Sequence, residues 1–346
     1  MLYDEYKNGI NFGGWLSQFN YYVSNDQERR YWIKHYIQEK DFAWVAKAGF
    51  DHVRIPIDYT LLENKEAYPY LEKSVEYAKK YHLNLIFDLH EAYGNQCQQG
   101  SSVLTLLKDE EAKQRFIAIW VSLTKHFKEV KEPQIMFELF NEIVDSTGYL
   151  WNQLYKETIQ EIRKIDQERY LLVGSNLQNS VFTLKELDLV EDPYVFYNFH
   201  FYEPIAFTHQ NASFSEEMAT YGKPVHYPGN MEGILNHIQN YPEYKDKYAY
   251  IQDENNYEQL KKYFNGAIDF VKYSGKQLYC GEYGLIDQVE DDDAIRWMGD
   301  CKKIMDEYLI GHALWNYKGL HFGIYDKYGK IVSRKQYDYL KGENDE

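Results

Sequence analysis

Two glutamates, Glu142 and Glu282, stand at the ends of two short apolar runs that lie far apart in the chain. A pair of carboxylates that converges on one site can cleave an acetal. One carboxylic acid protonates the leaving oxygen, while the second carboxylate attacks the anomeric carbon or activates water there. The pair therefore indicates hydrolysis of a glycosidic bond. A lone glutamate after a strand is more often a solvated loop residue or a helix cap. The hypothesis therefore depends on which residues stand at the ends of the other apolar runs.

Three further polar residues at the ends of apolar runs have chemistry that fits such a pair. Arg54 can hold a nucleophilic carboxylate ionised, because a nearby positive charge lowers a carboxylate pKa. Tyr202 can donate a hydrogen bond to the same carboxylate. Asn141 can bind the sugar 2-hydroxyl, a contact that strengthens in the transition state.

Two histidines and a tryptophan complete the set of run-end residues. His90 and His200 can bind sugar hydroxyls or tune the acid, and Trp315 offers a flat apolar face to a pyranose ring. A lone histidine is usually a hydrogen-bonded structural group. Six of the eight apolar runs end in such residues, however, and this agreement favours one shared site over coincidence.

The elements that must position these residues are eight short, continuously apolar runs separated by segments with helical spacing. Continuous apolar runs are typical of parallel strands that helices cover on both faces. Phe116, Trp120, Leu123 and Phe127 illustrate the helical spacing, with steps of four, three and four. We therefore predict an α/β fold, a (β/α)8 TIM barrel, with catalytic groups at the carboxyl ends of its strands. The predicted strands are Ile10–Gly13, His52–Pro56, Asn84–Leu89, Ile135–Phe140, Tyr170–Gly174, Tyr194–Phe199, Gln277–Gly281 and His312–Trp315.

The chain is longer than such a barrel needs, since 346 residues exceed the usual length of about 250. Most of the surplus lies at 204–254, a polar, irregular stretch between the sixth strand and its helix. We predict one catalytic domain over 1–346, with 204–254 as an inserted subdomain on the active-site face. The helix after the fifth strand, near Leu184–Leu189, is predicted to be short or distorted because its apolar pattern is weak.

Composition excludes several classes of partner. The net charge of −16 argues against nucleic acid and against anionic membrane surfaces, but it does not disturb a neutral substrate. The chain has no apolar run of about 18 residues and no signal-peptide pattern at its start, which leaves a cytoplasmic enzyme or an exported one with its signal removed. Cys97, Cys280 and Cys301 form no zinc-type motif, so we expect structural thiols, no metal and no cofactor.

Taken together, seven segments resemble glycoside hydrolase family 5, the cellulase family, in order and spacing over nearly the whole chain. The resemblance implies a retaining enzyme with Glu142 as acid/base and Glu282 as nucleophile. It also implies counterparts for the family's other active-site positions at Arg54, His90, Asn141, His200, Tyr202 and Trp315. The segments are GINFGGW (Gly9–Trp15), GFDHVRIPIDY (Gly49–Tyr59), NLIFDLHEAYG (Asn84–Gly94), FELFNE (Phe137–Glu142), NFHFYEP (Asn198–Pro204), YCGEYG (Tyr279–Gly284) and ALWNYKG (Ala313–Gly319).

Four other carboxylates lie close to these positions. Asp88 and Glu138 share strand faces with run-end residues, so we expect one or both to line the barrel interior and to partner Arg54. Glu91 and Glu203 point to the opposite face if their strands continue, and we expect no catalytic role for them.

The favoured function is an endo-β-1,4-glucanase, monomeric, acting on cellulose-type and mixed-linkage β-1,3-1,4-glucan. The same catalytic pair also suits β-mannan or β-1,3-glucan, because cleft shape decides the linkage. A non-catalytic glycan-binding barrel would be expected to lack one of the two glutamates, and a metal-dependent hydrolase would need clustered His and Asp ligands. Besides Trp315, the candidate sugar platforms are Trp15, Tyr93, Phe201 and six tyrosines of the insertion: Tyr221, Tyr227, Tyr241, Tyr244, Tyr248 and Tyr250.

Overall fold

Eight parallel strands close into a barrel in the computed structural model, which describes residues 1–95 and 105–342. Two more strands, β7 (Gly229–Asn230) and β8 (Glu254–Asn255), form a separate antiparallel ladder. The barrel strands are β1 (Asn8–Asn11), β2 (His52–Asp58), β3 (Asn84–Glu91), β4 (Ile135–Glu138), β5 (Tyr170–Gly174), β6 (Val195–Phe201), β9 (Leu278–Tyr283) and β10 (Gly311–Leu314). Around the barrel their order is β1-β10-β9-β6-β5-β4-β3-β2.

The predicted barrel is confirmed, and each predicted strand lies on an observed one with ends that differ by a few residues. The fourth is an instructive case, because β4 ends at Glu138 although the apolar run continues to Phe140. Backbone bonding continues past that end, since the Leu139 amide donates to the Leu172 carbonyl and the Asn141 amide to the Leu89 carbonyl. The chain beyond β4 is thus still held against its neighbours up to the residue before Glu142.

Helices cover the outside of the barrel, and the predicted apolar stripes face it. Phe116, Trp120, Leu123 and Phe127 are all buried along one helix. The main helices are α1 (Leu2–Glu5), α2 (Asp26–Tyr36), α3 (Glu39–Lys47), α4 (Tyr59–Glu63), α5 (Tyr68–Tyr81), α6 (Thr105–Lys108), α7 (Glu110–Phe127), α8 (Tyr149–Arg163), α9 (Asn176–Asn179), α10 (Ile205–Thr208), α11 (Glu216–Ala219), α12 (Glu232–Ile238), α13 (Lys245–Tyr248), α14 (Tyr257–Tyr263), α15 (Asn265–Ser274), α16 (Asp291–Glu307) and α17 (Arg334–Leu340). None of the helices in the described part of the chain is long and apolar enough to cross a lipid bilayer.

The connection from β5 to β6 is irregular, as predicted. In place of a long helix it has α9 followed by a 3-10 helix over Val181–Glu186. Three consecutive residues, Leu177, Gln178 and Asn179, have positive φ angles of 49°, 61° and 54°. A left-handed run without glycine is unfavourable for L-residues, so the surroundings must stabilise this bend.

The 204–254 segment contains α10 to α13, and β7 in its middle pairs with β8 at its end. It is fastened to α16. His226 Nδ1 lies 2.8 Å from Asp293 Oδ2, and the Tyr227 hydroxyl donates to Asp300 Oδ2 over 2.7 Å. Whether this stretch is a subdomain in its own right stays a prediction, as does the single-domain assignment over 1–346.

The two described cysteines are structural in their surroundings. Cys280 and Cys301 are buried and unbridged, in β9 and α16. Burial raises the pKa of both thiols well above its usual value, which keeps them in the unreactive protonated form. Cys97 lies outside the described residues.

Candidate active site

A buried arginine lies at the centre of the barrel mouth. Arg54, on β2, is completely buried. Its Nη1 donates to Glu282 Oε1 over 2.8 Å, and its Nε donates to Glu138 Oε2 over 2.6 Å. Its Nη2 lies 3.0 Å from Asp88 Oδ2. Burial opposes the guanidinium charge, but the three carboxylates raise the pKa of Arg54 well above its ordinary value, so the side chain stays charged.

The Glu282 carboxylate, on β9, accepts two strong hydrogen bonds. Besides Arg54, the Tyr202 hydroxyl donates to Glu282 Oε2 over 2.8 Å. Burial, and then the nearby Glu282 charge, raise the pKa of Tyr202 well above its usual value, so the phenol keeps the proton that it donates. The carboxylate is thereby fixed in one orientation by a cation on one oxygen and a neutral donor on the other.

Glu142 has a different environment from Glu282. It follows β4 in a left-handed conformation, with φ of 50°, and its side chain remains about a quarter exposed. Burial raises the pKa of Glu142, with opposing effects from His90 and Arg54. His200 Nδ1 lies 2.9 Å from Glu142 Oε1, and burial lowers the pKa of His200 to about 4, so this imidazole is neutral near pH 7. Burial thus shifts Glu142 toward its protonated form, whereas Arg54 and Tyr202 donate hydrogen bonds to both oxygens of Glu282.

The two carboxylates are close to each other. One oxygen of Glu142, one of Glu282 and a ring nitrogen of His200 all lie within 4.8 Å of one another. Among the described residues, this is the only group of three or more potential metal ligands with such spacing. Arg54 and Tyr202 already donate to the oxygens of Glu282, and a guanidinium there repels a cation. The donor set is therefore better suited to proton transfer and nucleophilic attack than to holding a metal ion.

The remaining predicted site residues surround this pair. Arg54 Nη2 donates to Asn141 Oδ1 over 3.0 Å and so orients the Asn141 amide with its NH2 group pointing away. His90 Nδ1 lies 2.8 Å from Asp88 Oδ2, and the His90 ring lies parallel to Trp315, with centroids 5.9 Å apart. All eight residues predicted from the sequence therefore converge on one mouth of the barrel.

Asp88 and Glu138 both line the barrel interior and both pair with Arg54, as expected from strand alternation. The sequence reasoning missed two asparagines in the same network. Asn11 Oδ1 accepts from Arg54 Nη1 over 2.9 Å, and Asn198 Nδ2 donates to Glu138 Oε1 over 2.8 Å. Asn198 precedes His200 by two residues on β6, so the same two-residue period could have identified it.

In the described part of the chain, Glu91 and Glu203 lie outside the cluster of Glu142, His200 and Glu282. Glu203, just before the 204–254 segment, accepts from the Tyr250 hydroxyl near the end of that segment, and burial raises the pKa of Glu203 to about 7. Glu91 is buried on β3 beside Asp58, its partner in the ladder with β2. The Glu203 side chain thus links the start of the 204–254 segment to Tyr250 near its end.

Several of the candidate sugar platforms are buried. Trp15 and Phe201 are buried, with the Trp15 indole donating to the Ile33 carbonyl and Phe201 stacked on Phe264. Tyr227 and Tyr248 are also buried, because their rings anchor the 204–254 segment. Tyr93 is partly exposed, with the Arg115 guanidinium 3.8 Å from its ring centroid.

A groove of about 320 Å³ runs beside Trp315, and most of its aromatic residues were not predicted. Phe214, from the 204–254 segment, is largely exposed and lies 5.8 Å from the His321 ring. Loops from three parts of the chain contribute to the groove, so no local sequence pattern marks it. The lining residues, which we call the Trp315 groove, are Gln18, Tyr21, Tyr22, Phe214, Trp315, Leu320, His321 and Phe322.

Comparison with known proteins agrees with this geometry. Residues 4–320 match the family model described as cellulase, glycosyl hydrolase family 5. The chain is 38% identical to endoglucanase C of Acetivibrio thermocellus, over 97% of this chain and 98% of that protein. It is 32% identical to cellodextrinase A of Ruminococcus flavefaciens, over 87% and 82%. Endoglucanase Cel5A from Thermotoga maritima has the same fold, with a TM-score of 0.75 at 22% identity over 98% of this chain and 99% of that one.

The Arg54 network predicts a structural role for Glu138. Glu138→Gln replaces an oxygen acceptor by an NH2 group facing the guanidinium, so we expect the free energy of unfolding to fall by roughly 1–3 kcal/mol. Thermal and urea denaturation measure the effect. Glu129→Gln, at an exposed position, is the control and should change stability by less than about 0.5 kcal/mol. Normal melting together with a selective loss of the covalent step would contradict the structural role.

Proposed function

The chain belongs to glycosyl hydrolase family 5 and is a glycoside hydrolase, and we propose that it is a retaining endo-β-1,4-glucanase. We propose cellulose-type and mixed-linkage β-1,3-1,4-glucan as its substrates. The observation that carries the retaining mechanism is the approach of the two carboxylates to within 4.8 Å. Retaining enzymes have carboxyl groups about 5–5.5 Å apart, whereas inverting enzymes need about 6.5–9.5 Å to admit a water molecule.

The proposed reaction has two steps. In the first, a Glu282 oxygen attacks the anomeric carbon, and Glu142 gives its proton to the leaving glycosidic oxygen. A covalent glycosyl-enzyme forms, and the shortened chain departs. In the second, the ionised Glu142 takes a proton from water, and that water displaces Glu282 with restoration of the original configuration. The raised pKa of Glu142 supports the acid role, because the proton must be present near neutral pH.

The neighbouring residues have roles in this proposal that follow from their contacts. Arg54 and Tyr202 fix the nucleophile in position. The Asn141 amide, oriented by Arg54, donates to the sugar 2-hydroxyl. His90 binds a sugar hydroxyl, and Trp315 supports the pyranose ring. Every group required by the two steps comes from one chain, so the proposal needs only a monomer and involves no cofactor.

The choice of β-glucan rests on the relatives and on the groove. Two of the curated relatives are named an endoglucanase and a cellodextrinase. The aromatic Trp315 groove suits the flat apolar faces of a glucan chain, and a net charge of −16 is compatible with an uncharged polysaccharide. A β-mannanase or β-1,3-glucanase with the same pair is the alternative. Product analysis on carboxymethyl-cellulose, barley β-glucan, laminarin and mannan distinguishes these backbones.

The barrel order indicates which end of the glucan occupies the Trp315 groove. Strand β10, which leads into Trp315, is separated from β4 and Glu142 by β9, β6 and β5, so the two residues lie across the mouth from each other. The acid must stand beside the departing oxygen, so the departing part of the glucan binds on the Glu142 side. The retained part then extends from Trp315 toward Tyr22 and Phe214.

We expect a mechanism-based label to attach to Glu282. A 2-deoxy-2-fluoro cellobioside with a good leaving group slows hydrolysis of the covalent intermediate, which should therefore accumulate. Peptide mass spectrometry of the labelled protein locates the sugar. A label on any other residue would overturn the assignment of Glu282 as nucleophile.

Removal of the acid should affect substrates according to their leaving groups. Glu142→Ala should lower kcat/KM by at least about 100-fold on cello-oligosaccharides, because general acid catalysis contributes 10²–10⁴-fold. Activated aryl glycosides need no proton for departure and should lose much less. Equal losses on both classes would count against the acid role.

Phe214 should contribute to binding of longer glucans. Phe214→Ala removes an exposed ring from the Trp315 groove, and we expect kcat/KM on cellohexaose to fall by about three- to tenfold, since 1.4 kcal/mol corresponds to tenfold. Cellotriose, which occupies fewer sugar positions along the cleft, should be affected less than cellohexaose. Tyr328→Ala, an exposed aromatic outside the residues that line the groove, is the matched control. An unchanged cellohexaose value would show that the 204–254 segment does not wall the cleft.

A further inference from the structure

A buried asparagine lies behind the histidine that contacts the proposed acid. Asn179 is completely buried at the end of the irregular turn after β5. Its Nδ2 lies 3.1 Å from His200 Nε2, and on the other side of the same ring His200 Nδ1 lies 2.9 Å from Glu142 Oε1. We propose that Asn179 is a positioning residue that holds the proton of neutral His200 on Nδ1, directed at Glu142. The inference rests on the proposed role of Glu142 as acid/base.

The chemistry of the Asn179 amide determines which atom donates and which accepts in each of these two hydrogen bonds. An Asn NH2 group only donates, so the His200 Nε2 that faces it must be the acceptor. A neutral imidazole has one donor and one acceptor nitrogen, so Nδ1 then carries the hydrogen. Nδ1–H donates to Glu142 Oε1. The acidic proton of Glu142 is thereby left to its other oxygen, Oε2.

The backbone around Asn179 has an energetically unfavourable conformation. Leu177, Gln178 and Asn179 are all left-handed, although asparagine is the only one of the three that favours this conformation. A Cβ atom at Gly174 would overlap the Asn179 amide, so the glycine leaves room for it. Asn179 Oδ1 has no hydrogen-bond partner among the described residues. Strain and an unpaired buried oxygen persist where other contacts over-determine a conformation, and such places cluster at functional sites.

The turn is also tied to β6. Ser180, the next residue, forms a parallel bridge with His200, and the Ser175 amide donates to the Asn198 carbonyl. The amide and the imidazole are therefore held at a fixed distance by backbone bonding on both sides. This arrangement fits a residue whose task is to orient its neighbour.

The consequence for catalysis concerns the second step. Ionised Glu142 must act as a base there, and an N–H bond to a carboxylate favours its ionised form. If the hydrogen moved to Nε2, the Nδ1 lone pair would face Glu142 Oε1 and disfavour the ionised form. Loss of the Asn179 contact should therefore reduce the fraction of Glu142 that is ionised in the glycosyl-enzyme. Hydrolysis of this intermediate should slow more than its formation on substrates that need no acid.

Asn179→Asp reverses the hydrogen bond while nearly preserving shape and tolerance of the left-handed conformation. A carboxylate accepts, so His200 Nε2 should become protonated. In ¹⁵N-histidine-labelled protein, the His200 signals, identified by their loss in a His200→Gln variant, should show an unprotonated Nε2 in the wild type and a protonated Nε2 in Asn179→Asp. A protonated Nε2 in the wild type, or an unprotonated Nε2 in the variant, overturns the inference. This readout does not depend on catalysis, so it separates failure of the inference from failure of the proposed function.

Kinetics provide the second measurement. On an activated aryl cellobioside, whose first step needs no acid, kcat of Asn179→Asp should fall at least about tenfold, while kcat/KM changes by less than about threefold. Gln178→Gly, in the same left-handed run but with an exposed side chain, should change neither value. Gly174→Ala keeps the asparagine at position 179 but displaces its side-chain amide, so it should reproduce the selective fall in kcat. Equal falls in kcat and kcat/KM, or the same effect in Gln178→Gly, would assign Asn179 a merely structural role and overturn the inference.

Discussion

The arrangement of this barrel mouth depends on one buried positive charge. A guanidinium without solvent is strongly unfavourable unless carboxylates and further acceptors surround it. Arg54 obtains them from Asp88, Glu138 and Glu282, and from the oxygens of Asn11 and Asn141. The planar fork of donors reaches several strands at once, which lysine could not do. Each partner is therefore oriented by the same group, and the nucleophile candidate is one of them.

The same charge distinguishes the environments of the two glutamates. Glu282 contacts Arg54 directly and also accepts from Tyr202, so its oxygens are held as acceptors. Among the described residues, none of the hydrogen-bond partners of Glu142 is an arginine or lysine. Its contact is neutral His200, and burial raises its pKa. Two identical side chains a few ångströms apart thus have different environments, and this difference supports the proposed roles of Glu142 as acid and Glu282 as nucleophile.

Polar residues behind Arg54, the two glutamates and the histidines determine how these side chains are oriented. Asn198 donates to Glu138, and its own oxygen accepts from the Gly281 amide over 2.7 Å, so β4, β6 and β9 are joined beneath the site. Asp88 contacts both Arg54 and His90, and the His90 ring lies parallel to Trp315. Asn179 provides the corresponding support behind His200. The side chains at the barrel mouth are therefore oriented by polar residues that lie behind them.

The sequence by itself determined the barrel, the eight residues at its mouth and the pairing of Arg54 with Asp88 and Glu138. Parallel strands bring their carboxyl ends together, and alternation by two assigns each side chain to a face, so residue type and spacing suffice. The sequence did not reveal Asn179, Phe214 or the Trp315 groove, and it offered Trp15 and Phe201 as candidate sugar platforms although both are buried. The loops and the 204–254 segment have no regular alternation that assigns their side chains to a face. Their side chains meet residues distant in the chain, and only the tertiary structure decides which aromatic ring is buried and which faces the cleft.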